Sequence, residues 1–192
     1  MSENPISEND NWALAERLSV VRKHADLTLD QAAAVSGISR ASLSRIERAE
    51  TSPTAATLGR LCAAYHLTMS ELLSPLEADV PRIIARADAP FFEDAQTGFK
   101  RWSISPPADG YAVELVWGEL PPKARVAYDA PPIAGMEQHI VMFSGVLRFT
   151  IGTTAYALQD RDCMRAKLYG PTSIENPGTQ VARYLLAIKK RP

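Results

Sequence analysis

Between Ile38 and Glu50 the chain reads ISRASLSRIERAE, and two sets of side chains in it do different work. Leu43 and Ile46, at i, i+3 spacing, share one face of a helix and can anchor it in a core. Arg40, Ala41, Ser44 and Arg45 remain for solvent. They are short or basic side chains of the kind that suits the major groove of duplex DNA.

Such a helix is useful only if its neighbours hold it at the surface. A first helix is expected from about Trp12 to His24, with Leu14, Leu18 and Val21 as its buried stripe. Thr28 and Gln31 match a capping box and start a second helix. Gly37 ends that helix, and Ala33, four residues earlier, is small where two helices must approach. Ser39 opens the third helix, which runs to about Arg48. Ser52 is expected to cap a fourth, with Pro53 in its first position, where a missing N–H costs nothing. Leu58, Leu61, Cys62 and Tyr65 make the inner face of that helix, and Thr68 caps a short fifth, Met69–Leu73.

The stretch Leu29–Ile46 and the trailing IERAETSPTAATL resemble the phage-repressor-like helix-turn-helix class, the Xre family. The resemblance implies that the third helix lies in the major groove, with Arg40, Ala41 and then Arg45 reading base edges beside Ser44. Arginine there favours guanine, whose O6 and N7 its fork can bridge. Ser42, Arg48, Thr51 and Ser52 fall where the family touches phosphates, and Thr28 and Ser39 open helices whose first-turn N–H groups can face a phosphate. The chain departs from the family at Ala49, where glycine usually closes the recognition helix in a left-handed conformation. From Trp12 to His66, seven basic side chains face five acidic ones, a net +2, while the whole chain carries −1. So weak a positive field favours a dimer that doubles the phosphate contacts.

After Leu73 the pattern changes. SPLEADVP has two prolines and no clear period and reads as a linker. From about Ile83 onward short β-rich runs alternate with proline pairs at Pro106-Pro107, Pro121-Pro122 and Pro131-Pro132. Leu147, Phe149 and Ile151 alternate with Arg148 and Thr150, the sign of a half-buried strand. The text PPIAGMEQHIVMFSGVLRF, LQDRDC and YGPTSIENPG resembles a cupin, a small double-stranded β-barrel, with Gly145 and Asn176-Pro177-Gly178 fitting its two motifs. The expected organisation is a tail at 1–11, an all-α helix-turn-helix domain at 12–74, a linker at 75–82 and an all-β cupin-like barrel at 83–192.

By that resemblance Gln138 stands at the metal-binding glutamate position, and the two histidine positions fall near Pro132 and at Thr172. None is a ligand of that class, so no metal and no other cofactor is expected. His139 lies on the opposite face from Gln138 by period-two alternation and reads as a structural hydrogen-bonder. An effector pocket is expected from Gln138, Ile140, Met142 and Thr172, with Trp102, Glu114 and Trp117 at its mouth. Two packings are compatible with these residues: an apolar cup for a small organic ligand, and a barrel filled by its own side chains.

No apolar run is long enough to span a membrane, and the polar start MSENPISENDN is neither a signal nor a transit peptide. Cys62 and Cys163 lie far apart and read as small buried hydrophobes, so the expected compartment is the cytoplasm. Catalytic motifs of the G-x-S-x-G, P-loop and C-x-x-C types are absent. The function expected is a transcriptional regulator, a repressor, that binds a palindromic DNA operator as a homodimer and senses a small molecule through its barrel. The alternatives are a cupin metalloenzyme with an accessory DNA-binding arm, and a DNA-binding scaffold whose barrel only dimerises.

Overall fold

The computed structural model describes residues 8–73, 82–108 and 110–189. Five helices come first: α1 (Glu8–His24), α2 (Leu29–Ser36), α3 (Arg40–Glu47), α4 (Ala55–Tyr65) and α5 (Met69–Leu73). A single 3₁₀ turn, Arg86–Asp88, leads to the strands. These are β1 (Phe91–Glu93), β2 (Lys100–Ser105), β3 (Val113–Leu120), β4 (Arg125–Tyr128), β5 (Met136–Ser144), β6 (Leu147–Ile151), β7 (Thr154–Leu158), β8 (Cys163–Leu168), β9 (Thr172–Glu175) and β10 (Ala182–Lys189). They form two antiparallel sheets, ordered β1-β2-β3-β10-β5-β8 and β4-β9-β6-β7. The fold class read from the sequence is therefore found: all-α helices, then an all-β barrel. Residues 74–81, which hold nearly all of the expected linker, lie outside the described residues.

Local sequence accounts for most of the helix ends. Thr28 accepts from the Gln31 N–H at 3.2 Å, while the Gln31 side chain accepts from the Thr28 N–H at 2.9 Å. Ser39 accepts from the Ser42 N–H at 3.1 Å, and Thr68 and Glu71 repeat the reciprocal box at α5. Helix α1 begins earlier than Trp12, at Glu8. Helix α4 is capped by Thr54 rather than Ser52, which leaves Pro53 buried outside the helix. The reason is remote: the Ala55 N–H donates to Asp94 Oδ2 at 3.0 Å, so a carboxylate from the β-half fixes where α4 starts. Of the small residues before Gly37, Ala32 is fully buried and Ala33 half-buried.

In the barrel, inward positions are buried every second residue. Glu114, Val116, Gly118 and Leu120 alternate on β3, and Leu147 and Phe149 on β6. Gly145 takes a positive φ of 79° between β5 and β6, where a Cβ would press on the backbone at Ala182. Asn176 is fully buried and donates to Leu120 O at 2.9 Å and Gln180 O at 2.7 Å, fixing the Asn-Pro-Gly corner. The core does not stop at the sheets. Leu58, Leu61 and Cys62 of α4 belong to one apolar cluster with Phe99, Val116 and Ile174. Cys62 is buried as expected, but Cys163 is exposed on β8, where it alternates with half-buried Met164.

Candidate nucleic-acid interface and barrel cavity

Helix α3 is braced from below. Arg22 of α1 grips Glu47 with both arms of its fork, at 2.7 and 2.9 Å, and gives a third hydrogen bond to Leu27 O at 2.8 Å. Both side chains are buried, and the hydrogen bonds to Glu47 raise the arginine pKa above its ordinary value. With Leu43 and Ile46 also buried, one side of α3 is fixed and the other faces solvent.

On the solvent side stand Arg40, Ala41 and Arg45, all exposed, with Ser44 half-buried beside them. Arg40 rests on Asp30 of α2 at 3.0 Å, a pair open to water and therefore weak. Ser39, Ser42, Thr51 and Ser52 border one shallow groove with Arg45 and Arg60, running from the start of α3 to α4. Thr28 sits apart, at the start of α2. Arg48 is already engaged: its Nε and Nη2 donate to Glu50 at 2.7 and 3.1 Å, and its Nη1 donates to Ser44 Oγ at 2.8 Å. Arg48 in turn holds the Glu50 carboxyl below the usual carboxylate range. A phosphate contact from Arg48 would replace Glu50 as its partner. Arg60, which sequence reading counted only as charge, lies in the groove with its Nη1 3.4 Å from Gly37 O.

The second candidate site is a cavity of about 100 Å³. Of the seven residues expected to form a pocket, Gln138, Ile140 and Thr172 line it. Met142 is buried nearby without reaching its wall. Trp102 and Trp117 point the other way. Arg101, Ser103, Val116 and Gly118 take the inward positions of β2 and β3, so the tryptophans between them face outward. There Trp102 packs on Phe91 at 4.8 Å with Arg86 over its ring at 4.5 Å, and Trp117 packs on Phe143 at 5.0 Å.

Glu114 does point inward, yet it meets a helix and not a mouth. Thr68 Oγ1 donates to its Oε1 at 2.8 Å, and burial pushes its carboxyl above the usual range against the opposing pull of Thr68, Ser70 and Arg101. The cavity is roofed by the helical half, through Gly59 and Cys62 of α4, Met69 of α5 and its cap Thr68. Arg101, Tyr128 and these four residues are among the lining residues that sequence reading missed. Desolvation pushes the Cys62 thiol up to about 12, so it behaves as an apolar side chain. His139 shares the outer face of β5 with Glu137, 3.1 Å away, and holds that carboxyl low. Among the described residues no three His, Cys, Asp or Glu side chains gather as a metal site, and no helix is long and apolar enough to cross a membrane.

Known proteins resemble both halves. Residues 18–72 match the helix-turn-helix family HTH_3. The transcriptional regulator PuuR of Escherichia coli is 33% identical over 81 residues, which is 42% of this chain and 44% of that protein. The alignment thus spans less than half the length of that relative. The regulator SutR of Escherichia coli is 27% identical over 146 residues, 73% of this chain and 74% of SutR. Among solved structures, an HTH_3 family transcriptional regulator from Vibrio cholerae superposes with a TM-score of 0.78 at 20% identity, covering 96% of this chain and 99% of that one. At that identity it shows the shared fold.

Proposed function

We propose that this chain, whose residues 18–72 match the HTH_3 helix-turn-helix family, is a non-enzymatic, sequence-specific DNA-binding repressor of the cytoplasm. One observation carries the reading. Helix α3 is locked on one side by Leu43, Ile46 and the Arg22–Glu47 fork and offers Arg40, Ala41 and Arg45 on the other. A rigid helix with two forked donors about one turn apart can dock in a major groove, and the hydroxyl-lined groove beside it suits the flanking phosphates.

The protein acts as a homodimer on a palindromic operator. Trp102, Trp117, Leu185, Val141 and Cys163 are successive register partners across β2, β3, β10, β5 and β8. Directly opposed residues share a face, so they form a continuous, mostly apolar row on the outside of the larger sheet. Pairing two barrels along this row would set two recognition helices about 34 Å apart. A small molecule bound in the barrel would bias that arrangement through its differential affinity for two states of the dimer.

The test is to sequence genomic fragments retained by the purified protein and to titrate a recovered site with variants. Arg40→Ala or Arg45→Ala should cost about 1–3 kcal/mol and relax base preference, whereas Arg48→Ala should weaken all sequences alike. Wild-type affinity in all three would refute the placement of α3. Leu185→Asp should give a monomer in sedimentation and lose the palindromic site.

A further inference from the structure

The residues that roof the cavity belong to the helical half, and the residue that sets its chemistry is Arg101 of β2. Arg101 is 6% exposed and lies in the cavity wall. Its Nη2 donates to Ser70 Oγ at 2.8 Å, but its buried Nε has no hydrogen-bond partner among the described residues. A buried donor left unpaired destabilises the fold, and a charged one more so. Glu114, which bonds Thr68 and the same Ser70, lies beyond that serine, and burial favours its neutral form, so it leaves the guanidinium short of a full counter-charge. The rest of the wall is aliphatic and aromatic, including Met136, Phe149, Leu168, Leu186 and Ile188, with Gln138 and Thr172 as further polar groups.

We infer that this junctional cavity is the effector site and that it takes a small monocarboxylate, its carboxyl paired with the Arg101 guanidinium and its short apolar body among the aliphatic side chains. A carboxylate supplies the acceptor that Nε lacks and matches the geometry of the fork. An amine would face a buried cation and an amide would bring no charge. The volume of about 100 Å³, set beside the cavity of about 150 Å³ that accepts benzene, suits about four to six non-hydrogen atoms. The inference rests on the reading of the barrel as an effector-binding unit and adds a route for the signal. A carboxylate on Arg101 competes with Ser70, the first-turn residue of α5, while its body presses on Gly59 and Cys62 of α4. Both contacts act on the helical half, and α4 borders the groove beside α3.

The experiment is thermal denaturation of the full-length protein with sodium propionate or butyrate, against butyramide and butylamine at equal ionic strength, because a ligand of the folded state raises Tm. The carboxylates should raise Tm and the amide and amine should not. Butyrate should also change the affinity for a recovered operator fragment by about tenfold. Arg101→Gln should abolish the response and Arg101→Lys should keep part of it. Should Arg101→Gln fail to fold, Ala130→Trp serves instead: Ala130 is exposed in the cavity wall, and the substitution should block entry with Arg101 intact. A shift from butyramide or butylamine equal to that from butyrate, persisting in Arg101→Gln, overturns the carboxylate assignment while leaving an effector site. No shift from any of the compounds overturns both and leaves the cavity to water.

Discussion

At the scale of single residues, Ala49 stands where the helix terminus favours glycine. Its φ is 58°, and the N–H groups of Ala49 and Glu50 reach Ile46 O and Arg45 O at 3.0 and 2.9 Å. The terminating motif is therefore fully formed, with the steric cost of a Cβ in the left-handed region left in place. Ala49→Gly should stabilise the protein by about 1 kcal/mol, roughly 2–4 °C in Tm for a chain of this size, with DNA affinity unchanged. Glu114 is strained differently, because burial raises its pKa in the folded state. Protonation then favours the fold: the contribution is fully present below the ordinary carboxylate range and is lost as pH rises through the raised value. Glu114→Gln keeps an acceptor for Thr68 without the charge. Its Tm should gain on wild type as pH rises above the ordinary carboxylate range, and parallel curves would refute the assignment. Legibility differs at this scale too. Arg40 and Arg45 could be placed from the sequence because helical spacing separates them from Leu43 and Ile46. Arg101 could not, since in KRWSIS it reads as one more solvated charge until α5 is seen to cover it.

At the scale of elements, the helix ends fixed by neighbouring residues were readable, and those fixed from a distance were not. Thr28, Ser39 and Thr68 cap where local chemistry places them. Ser52 yields to Thr54 because Asp94, 39 residues further along the chain, takes the first N–H of α4. The strands were legible as alternation, but alternation alone does not say which face is inside, and Trp102 and Trp117 went to the outer one. The element that matters most, α3, is held to α1 by Arg22 and Glu47. Glu47→Ala would leave a buried guanidinium unpaired and should cost about 3–5 kcal/mol in urea denaturation. Arg22→Met together with Glu47→Leu should cost less than Glu47→Ala alone, because no charge is then stranded. Equal losses would mean that the pair contributes only packing.

At the scale of the whole molecule, the two halves share one apolar core, and Gly59 of α4 packs directly against the ring of Tyr128 on β4. A methyl at Gly59 would overlap Tyr128 Cδ1, so Gly59→Ala must displace the ring or lift α4 from the sheet. Overpacking of this kind costs about 1–3 kcal/mol, which should appear as a lower Tm in a chain that still folds. The consequence for DNA separates a rigid mount from a flexible tether. If the barrel pair sets the distance between two recognition helices, a displaced α4 changes that distance without touching either helix. A duplex with two half-sites should then lose affinity, while a duplex with one half-site binds as before. Gly59→Ala combined with Tyr128→Ala, which reopens the space, should recover the two-site affinity. Equal losses on both duplexes would mean that α4 supports α3 directly, and unchanged binding on both would mean that the halves act as tethered, independent units.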